Sequence, residues 1–183
     1  VPHENIELLT KIKFLRAFQP KAWGGLEVSL PEFAEAVATL AGACASTAWS
    51  ASLLNTHSHQ LALFTKQAQE DVWGEDPEAT VSSSIAPFGK TTEVDGGVMF
   101  SGDMSWSSGC DHAQWAIMGF IRAGSKVDAK PHQHFALVPR SNYEIIDNWH
   151  AMAMKGSGTK VLKVRDVFVP EHRIESAKAL MTG

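Results

Sequence analysis

The chain has 183 residues, of which 44% are hydrophobic, and its formal net charge is −4 with 16 Lys and Arg residues. That length and apolar content are enough for one large domain or two small ones with real cores, which excludes a disordered chain and a disulfide-stapled scaffold. The basic residues form no stripe, so we expect neither nucleic acid nor a membrane surface as a partner, and a small molecule is the better expectation.

Residues 1–76 are predicted to form a helical domain. Apolar residues recur at helical spacing over residues 5–18 and predict the first helix. The run Ser29-Leu30-Pro31-Glu32 is a capping box with proline in the first turn, which predicts the start of a second helix. Helical composition predicts a third helix over about 46–64 and a short fourth over 66–73.

Composition changes after residue 76, where β-branched residues, glycines and short alternating runs become frequent. Asp95-Gly96-Gly97 predicts a hairpin turn. Strands are predicted over residues 80–84, 90–94, 98–102, 115–122, 134–139, 143–147 and 159–169. Short strands at this spacing are typical of an antiparallel β-sandwich or barrel. The predicted fold class is therefore α+β, with a β-domain over residues 77–172 and the beginning of another helical element over 173–183.

The order of these elements resembles the acyl-CoA dehydrogenase family, and several segments carry the resemblance. Trp23-Gly24-Gly25-Leu26 is similar to the turn before that family's second long helix. Residues 96–102 and 106–109 are similar to its glycine hairpin and its flavin-contacting Trp-x-Thr segment, and residues 155–159 and 164–170 to its Gly-Ser turn and Val-x-Val-Pro strand. The resemblance implies an acyl-CoA dehydrogenase-like fold whose C-terminal four-helix bundle is absent from this chain.

Two departures narrow the resemblance. The segment 83–89 lacks the acidic residue of the Thr-Glu-Pro-x-x-Gly-Ser turn, and Ser108 stands where the family has the threonine of Trp-x-Thr. Both departures, with residues 109–115 and 149–159, resemble the oxygenase components of two-component aromatic hydroxylases, including the 4-hydroxyphenylacetate 3-hydroxylase and steroid-phenol hydroxylase groups. Such an enzyme is a flavin-dependent monooxygenase that hydroxylates a phenolic substrate with O2 through a C4a-hydroperoxyflavin. The resemblance implies reduced FMN or FAD supplied by a separate flavin reductase, and a homo-oligomer, a tetramer in the full-length family.

A flavin monooxygenase needs a dry pocket and a hydrogen-bond acceptor for the N5–H group of the reduced flavin. By the resemblance, Ser108 is the candidate for the N5 contact, Trp106 packs near the flavin ring, and Gly109 lets the backbone approach. The alternative is a strand end that is merely rich in small polar residues. The other candidate flavin contacts are Trp49, Ser84, Pro87, Phe88, Gly89 and Ser107.

A phenol, with a pKa of about 10, reacts faster as the phenolate, which requires a nearby base or a charge that stabilises the anion. His57 resembles the histidine that faces the substrate in these hydroxylases, and a histidine can take either role. Ser83 is the candidate for a hydrogen bond to the substrate hydroxyl. With Ser108, these residues are the predicted catalytic set. The alternatives are a surface or core histidine and ordinary turn serines.

Other sites are not expected. The histidines in His57-x-His59 do not share a helix face, and neither they nor His132-x-His134 have a carboxylate or cysteine at convincing spacing, so no metal is predicted. No Gly-x-Ser-x-Gly, P-loop or Gly-x-Gly-x-x-Gly motif occurs, which argues against hydrolases, NTPases and Rossmann folds. Two cysteines without paired spacing, and no signal or membrane-spanning segment, predict a cytoplasmic protein with reduced thiols.

Two alternative functions stay open. An acyl-CoA dehydrogenase proper would need a catalytic carboxylate, which that family places in the C-terminal helical domain. A catalytically silent fragment would keep the fold and act only as a binding or interaction module. In this fold the C-terminal bundle and neighbouring subunits enclose part of the pocket, so we expect this chain alone to bind flavin weakly and to turn over little.

Overall fold

The computed structural model describes residues 1–123 and 132–182. Its helices are α1 (His3–Lys11), α2 (Leu30–Ala43), α3 (Ala45–Leu61), α4 (Lys66–Trp73) and α5 (Ala177–Thr182). The first helix is shorter than the predicted 5–18, because the backbone of Lys13 is left-handed with φ 59° and a 3₁₀ turn follows. The third predicted helix is present with slightly earlier bounds, and the fourth has the predicted ones.

The predicted capping box at the start of α2 is present. The Ser29 hydroxyl accepts from the Glu32 backbone N–H, and the Glu32 carboxylate accepts from the Ser29 backbone N–H at 2.9 Å. Such a cap satisfies two of the four N–H groups that a helix start leaves free. At the other end, Cys44 has an extended backbone with φ −155° and separates α2 from α3.

The strands are β1 (Val81–Val94), β2 (Gly97–Ser107), β3 (Trp115–Arg122), β4 (His132–Pro139), β5 (Glu144–Ile146), β6 (Lys160–Pro170) and β7 (Ile174–Ser176). They form one sheet in the order β5-β6-β2-β1-β3-β4-β7. The α+β class is confirmed, and Gly96 turns the predicted hairpin with φ 78°. The expectation of purely antiparallel strands is wrong at one pair, since β1 and β3 are parallel. Residues 108–114 lead from the end of β2 past the start of β1 to β3, so β3 runs opposite to β2 and in the same direction as β1.

Strand β1 is continuous where two separate strands were predicted. Its first part pairs with β3 and its last part with β2, and the register shifts between Ser84 and Gly89. At this shift Gly119 of β3 lies against β1, where an added Cβ would be 2.2 Å from the Ile85 carbonyl oxygen. Only glycine allows so close an approach of two backbones.

Buried side chains form three clusters. One fills the sheet region and contains Phe100 and Phe120, whose rings meet edge to face at 5.8 Å. A second packs α4 against β3 and β4 around Trp73. A third joins α1 to α3 through contacts that include Leu9 and Leu54. Helix α3 therefore lies between the N-terminal helices and the sheet.

The end of the chain differs from the predicted helical string. Residues Glu171–Arg173 form a 3₁₀ turn, β7 then pairs with β4, and Ala177 and Leu180 of α5 pack against the second cluster. Residue 183 of the predicted 173–183 segment lies outside the described residues, and the division at 76 and 172 stays a prediction. Cys44 and Cys110 are free thiols. Within the described ranges, no helix has both the length and the apolar character to cross a membrane.

We expect Gly119→Ala to destabilise the fold by about 3 kcal/mol, because a methyl group at this contact forces β1 and β3 apart. The measurement is urea unfolding followed by circular dichroism. Gly42→Ala is the matched control, since an added Cβ at Gly42 in α2 meets nothing within 4 Å, and its effect is expected to lie between zero and a stabilisation of about 1 kcal/mol. Equal stabilities for the two variants would contradict the backbone contact.

Candidate active site

A cavity of about 530 Å³ lies between α3, the adjacent parts of β1 and β2, and the segment before β6. Its size is within the range of small-molecule sites, roughly 300–1,000 Å³. Indole rings and aliphatic groups make up most of its wall, with a few hydroxyls among them. Its lining residues are Trp49, Leu53, His57, Ser83, Ile85, Ala86, Ser105, Trp106, Ser108, Trp149, Met154, Ser157 and Thr159.

Helix α3 supplies one wall. Trp49, Leu53 and His57 are spaced four residues apart, which places them on one helix face. The opposite side of α3 is fixed by the buried Leu54 and by Asn55, whose side-chain oxygen accepts from the Ala17 backbone N–H at 2.9 Å. The cavity wall is therefore part of a packed helix and not of a free surface.

His57 and Ser83 form a buried hydrogen-bonded pair at the cavity. The His57 Nδ1 lies 3.2 Å from the Val81 carbonyl oxygen, and its Nε2 lies 2.7 Å from the Ser83 Oγ. Because a carbonyl oxygen can only accept, the proton of the neutral ring is on Nδ1, and Nε2 accepts the Ser83 hydroxyl proton. Ser83 thus keeps its acceptor capacity for another donor.

Burial lowers the pKa of His57 to about 4, although the hydrogen bond to Val81 acts in the opposite direction. Desolvation disfavours the charged imidazolium, and no carboxylate contributes to the shift. His57 is therefore neutral at pH 7. Without a substrate it supplies a hydrogen-bond acceptor and not a positive charge.

Ser108 belongs to a second polar group of the cavity. Its hydroxyl oxygen accepts from the Trp49 Nε1–H at 3.1 Å and lies 2.7 Å from the Thr159 Oγ1. The Thr159 Oγ1 lies 2.9 Å from the Ser157 Oγ, and the Ser50 hydroxyl of α3 donates to the Ser157 carbonyl oxygen at 2.9 Å. Hydrogen bonds from α3 thus reach both the end of β2 and the segment before β6.

Trp106 and Met154 line the cavity with left-handed backbones, and Trp106 is the bulkier of the two. The φ of Trp106 is 65°, the residue is 67% exposed, and its ring meets the ring of Phe88 edge on at 5.7 Å. A left-handed backbone is uncommon for a bulky residue and costs about 1–3 kcal/mol. The strained backbone holds an indole at the cavity.

The structure brings together Trp49, His57, Ser83, Trp106 and Ser108, which include all three predicted catalytic residues. The other predicted flavin contacts do not line this cavity. They are Ser84, Pro87, Phe88, Gly89, Ser107 and Gly109. In that set both serines are buried, both glycines lie against neighbouring side chains, and Pro87 and Phe88 are exposed. Their contact with a flavin stays a prediction.

Several lining residues were not predicted as site residues. Leu53 could have been found from its helical spacing to Trp49 and His57. Trp149, Met154 and Thr159 lie in or next to a segment without regular strands or helices, where no periodicity shows which side chains face inward. Only the resemblance pointed to this segment.

The two histidines of the His57-x-His59 motif point to different neighbours. His57 meets Ser83, whereas the ring of His59 lies 5.9 Å from the ring of Phe18. Among the residues that the structure describes, no three or more His, Cys, Asp or Glu side chains come together as a metal site would require.

No protein-family profile matches the chain. The chain is 59% identical over 183 residues to the oxygenase component of p-hydroxyphenylacetate 3-hydroxylase from Acinetobacter baumannii, of which it covers 43%. It superposes on the HsaA monooxygenase from M. tuberculosis with a TM-score of 0.92 and 44% identity, covering 98% of this chain and 46% of that one. It superposes on XiaF from Streptomyces sp., in complex with FADH2 and glycerol, with a TM-score of 0.91 and 26% identity, covering 98% and 45%.

The chain spans less than half the length of these relatives. Within that span, the resemblance to oxygenase components of flavin-dependent hydroxylases is confirmed, and so is their acyl-CoA dehydrogenase-like fold.

We expect His57 to make stability pH-dependent. An unfolded histidine titrates near pH 6.5 and buried His57 near pH 4, so between these values the unfolded chain binds one more proton and stability is lost as pH falls. The wild-type advantage over His57→Gln in unfolding free energy should shrink by roughly 3 kcal/mol between pH 7 and pH 4. Urea unfolding at both pH values measures it, with His59→Gln at the exposed neighbour as control. A constant advantage would contradict a buried neutral His57.

Proposed function

We propose, from the premise that the close homologues of this chain are oxygenase components of flavin-dependent aromatic hydroxylases, that the protein containing it is such a component. It would hydroxylate a phenolic substrate with O2 and reduced flavin. Because the chain spans less than half of its relatives, the proposal concerns the whole protein. A separate flavin reductase and a homo-oligomeric state belong to the proposal and depend on the resemblance. A cytoplasmic location also belongs to it and depends on the cysteine pattern and the sequence composition.

The observation that carries the proposal is a pair of hydrogen-bond acceptors on one cavity. Ser83 gives its proton to His57 and keeps lone pairs for a donor. Ser108 is buried against Trp49 and Thr159 at the same cavity. A phenol O–H and the N5–H of a reduced flavin are both donors, so the two serines match the two molecules that this reaction must hold together.

The residues of the cavity fit a flavin ring. The indoles of Trp49, Trp106 and Trp149 offer flat apolar faces, and Ser108 offers a polar contact at the edge of such a ring. The bound flavin would supply the activated oxygen atom. FADH2 in the similar XiaF structure supports a reduced flavin, and either FMN or FAD is compatible with these contacts.

The pair of Ser83 and His57 defines a path for the phenol proton. The phenol would donate to Ser83, which donates to the Nε2 of His57. With a pKa of about 4, His57 leaves the proton on the resting phenol. As the ring carbon gives electrons to the incoming oxygen atom, the phenol oxygen loses electron density and its proton becomes more acidic, so even a weakly basic buried imidazole could take it. We therefore assign His57 as a proton acceptor that acts through Ser83.

Product analysis separates the candidate functions. The protein is mixed anaerobically with reduced FMN or FAD, a panel of monohydric phenols is added, O2 is admitted, and catechols are quantified by chromatography. Catechol formation is the expected result. Oxidation of an acyl-CoA with an electron acceptor would favour the dehydrogenase, which the relatives do not favour. Flavin binding with neither product would favour a silent binding module.

Ser83→Ala should lower the rate of catechol formation by about 100-fold, since it removes the acceptor for the phenol proton, and should change reduced-flavin affinity less than about twofold. Rapid-quench product assays and anaerobic flavin titrations measure the two effects. The exposed Ser141→Ala, away from the cavity, is the control. A Ser83→Ala enzyme that retains its rate from pH 6 to pH 9 would remove Ser83 and His57 from the proton path.

A further inference from the structure

Three hydroxyl groups stand in a row at the cavity wall. The Ser108 Oγ is 2.7 Å from the Thr159 Oγ1, which is 2.9 Å from the Ser157 Oγ. All three residues are at most 5% exposed, so their hydroxyls have little access to water as a hydrogen-bond partner. Each must donate to and accept from its neighbours in a consistent order.

The row has one fixed end. The Trp49 Nε1–H can only donate, and it occupies one lone pair of Ser108. If Thr159 donates its one proton within the row, two orders remain for the protons. In the first, Ser108 donates to Thr159 and Thr159 donates to Ser157. In the second, Ser157 donates to Thr159 and Thr159 donates to Ser108.

The two orders present opposite groups to the cavity. In the first, the Ser108 proton is used by Thr159, and a lone pair of Ser108 is left for a ligand donor. In the second, both acceptor sites of Ser108 are filled by Trp49 and Thr159, and its O–H is left for a ligand acceptor. The N5 atom of a flavin carries hydrogen in the reduced state and a lone pair in the oxidised state. Each order therefore suits one redox state.

We propose that Thr159 is a positioning residue that, with Ser157, sets the hydrogen-bond direction of Ser108 and so lets Ser108 accept from the N5–H of a reduced flavin. This inference depends on the proposed function, because it assumes a flavin N5 beside Ser108. Thr159 takes the Ser108 proton when N5 carries hydrogen, and the row reverses by rotation of three hydroxyls when it does not. Neither Thr159 nor Ser157 needs to touch the flavin.

The backbone around the row is held on both sides. Ser107 of β2 pairs with Lys160 of β6, and Ser108 and Thr159 lie next to each other just beyond this last pair of the ladder. The fully buried Ser50 donates to the Ser157 carbonyl oxygen at 2.9 Å. These contacts fix the heavy atoms while the hydroxyl protons stay free to rotate.

Thr159→Val tests the inference, since valine keeps the shape of threonine and removes the hydroxyl that accepts from Ser108. In the protein that contains this chain, anaerobic titrations give dissociation constants for reduced and oxidised flavin with wild type, Thr159→Val and Thr159→Ser. The dissociation constant of oxidised flavin divided by that of reduced flavin should fall at least tenfold in Thr159→Val. For a two-electron couple, that lowers the bound-flavin potential by about 30 mV. Thr159→Ser should restore the ratio to within threefold.

A second measurement needs no flavin. The Trp49 indole N–H is identified in a ¹H–¹⁵N spectrum of the ¹⁵N-labelled protein by its loss in Trp49→Phe. Thr159→Val should shift this resonance, because it changes the acceptor Ser108, and Thr159→Ser should leave it near the wild-type position. The other indole resonances report whether the fold is kept.

The outcomes separate two failures. A wild-type protein that binds neither flavin state would overturn the proposed function and this inference with it. Normal flavin binding with an unchanged ratio of dissociation constants in Thr159→Val would overturn this inference alone. A changed ratio that Thr159→Ser does not restore would also overturn it, because the hydroxyl would not be the cause.

Discussion

The site depends on the hydrogen bonds that the buried polar groups of α3 must make. Ser50, Asn55 and His57 are at most 6% exposed, and a buried polar group without a partner costs about 1–3 kcal/mol. Their partners lie on other parts of the chain, at the carbonyl of Ser157, the N–H of Ala17, and the carbonyl of Val81 with the hydroxyl of Ser83. Satisfying all of them leaves α3 one position relative to the sheet, and that position forms the cavity.

The same requirement gives the two polar groups of the cavity different properties. The imidazole of His57 gains one acceptor and one donor but no charged partner, so burial keeps it neutral. The hydroxyls of Ser108, Thr159 and Ser157 form hydrogen bonds with one another and with Trp49. The direction of one of these bonds therefore limits the direction of the others. The pair of His57 and Ser83 is suited to accepting a proton from a ligand. The three hydroxyls can reverse their hydrogen bonds when a ligand atom gains or loses its hydrogen.

The sequence predicted local features well and distant pairings poorly. The capping box at Ser29 and the hairpin at Gly96 are set by residues three or fewer positions apart, and both are present. The parallel pairing of β1 with β3 joins Val81 to Trp115, and no short-range pattern encodes it. The site residues His57, Ser83 and Ser108 were predicted through a resemblance. Their shared cavity depends on how α3 packs against the sheet, which spacing along the chain does not reveal.

The wall of the cavity carries hydrogen-bonding groups but no formal charge. Among its lining residues in the described ranges there is no Asp, Glu, Lys or Arg, and the single histidine is held neutral. Any charge that a ligand develops there therefore meets no charged side chain of this wall. In the proposed function, a proton on a phenol or on a flavin nitrogen would be controlled by hydroxyl and imidazole acceptors a hydrogen bond away. Helix α3 places those acceptors, because His57 belongs to it and because Trp49 and Ser50 donate to the Ser108 hydroxyl and the Ser157 carbonyl oxygen.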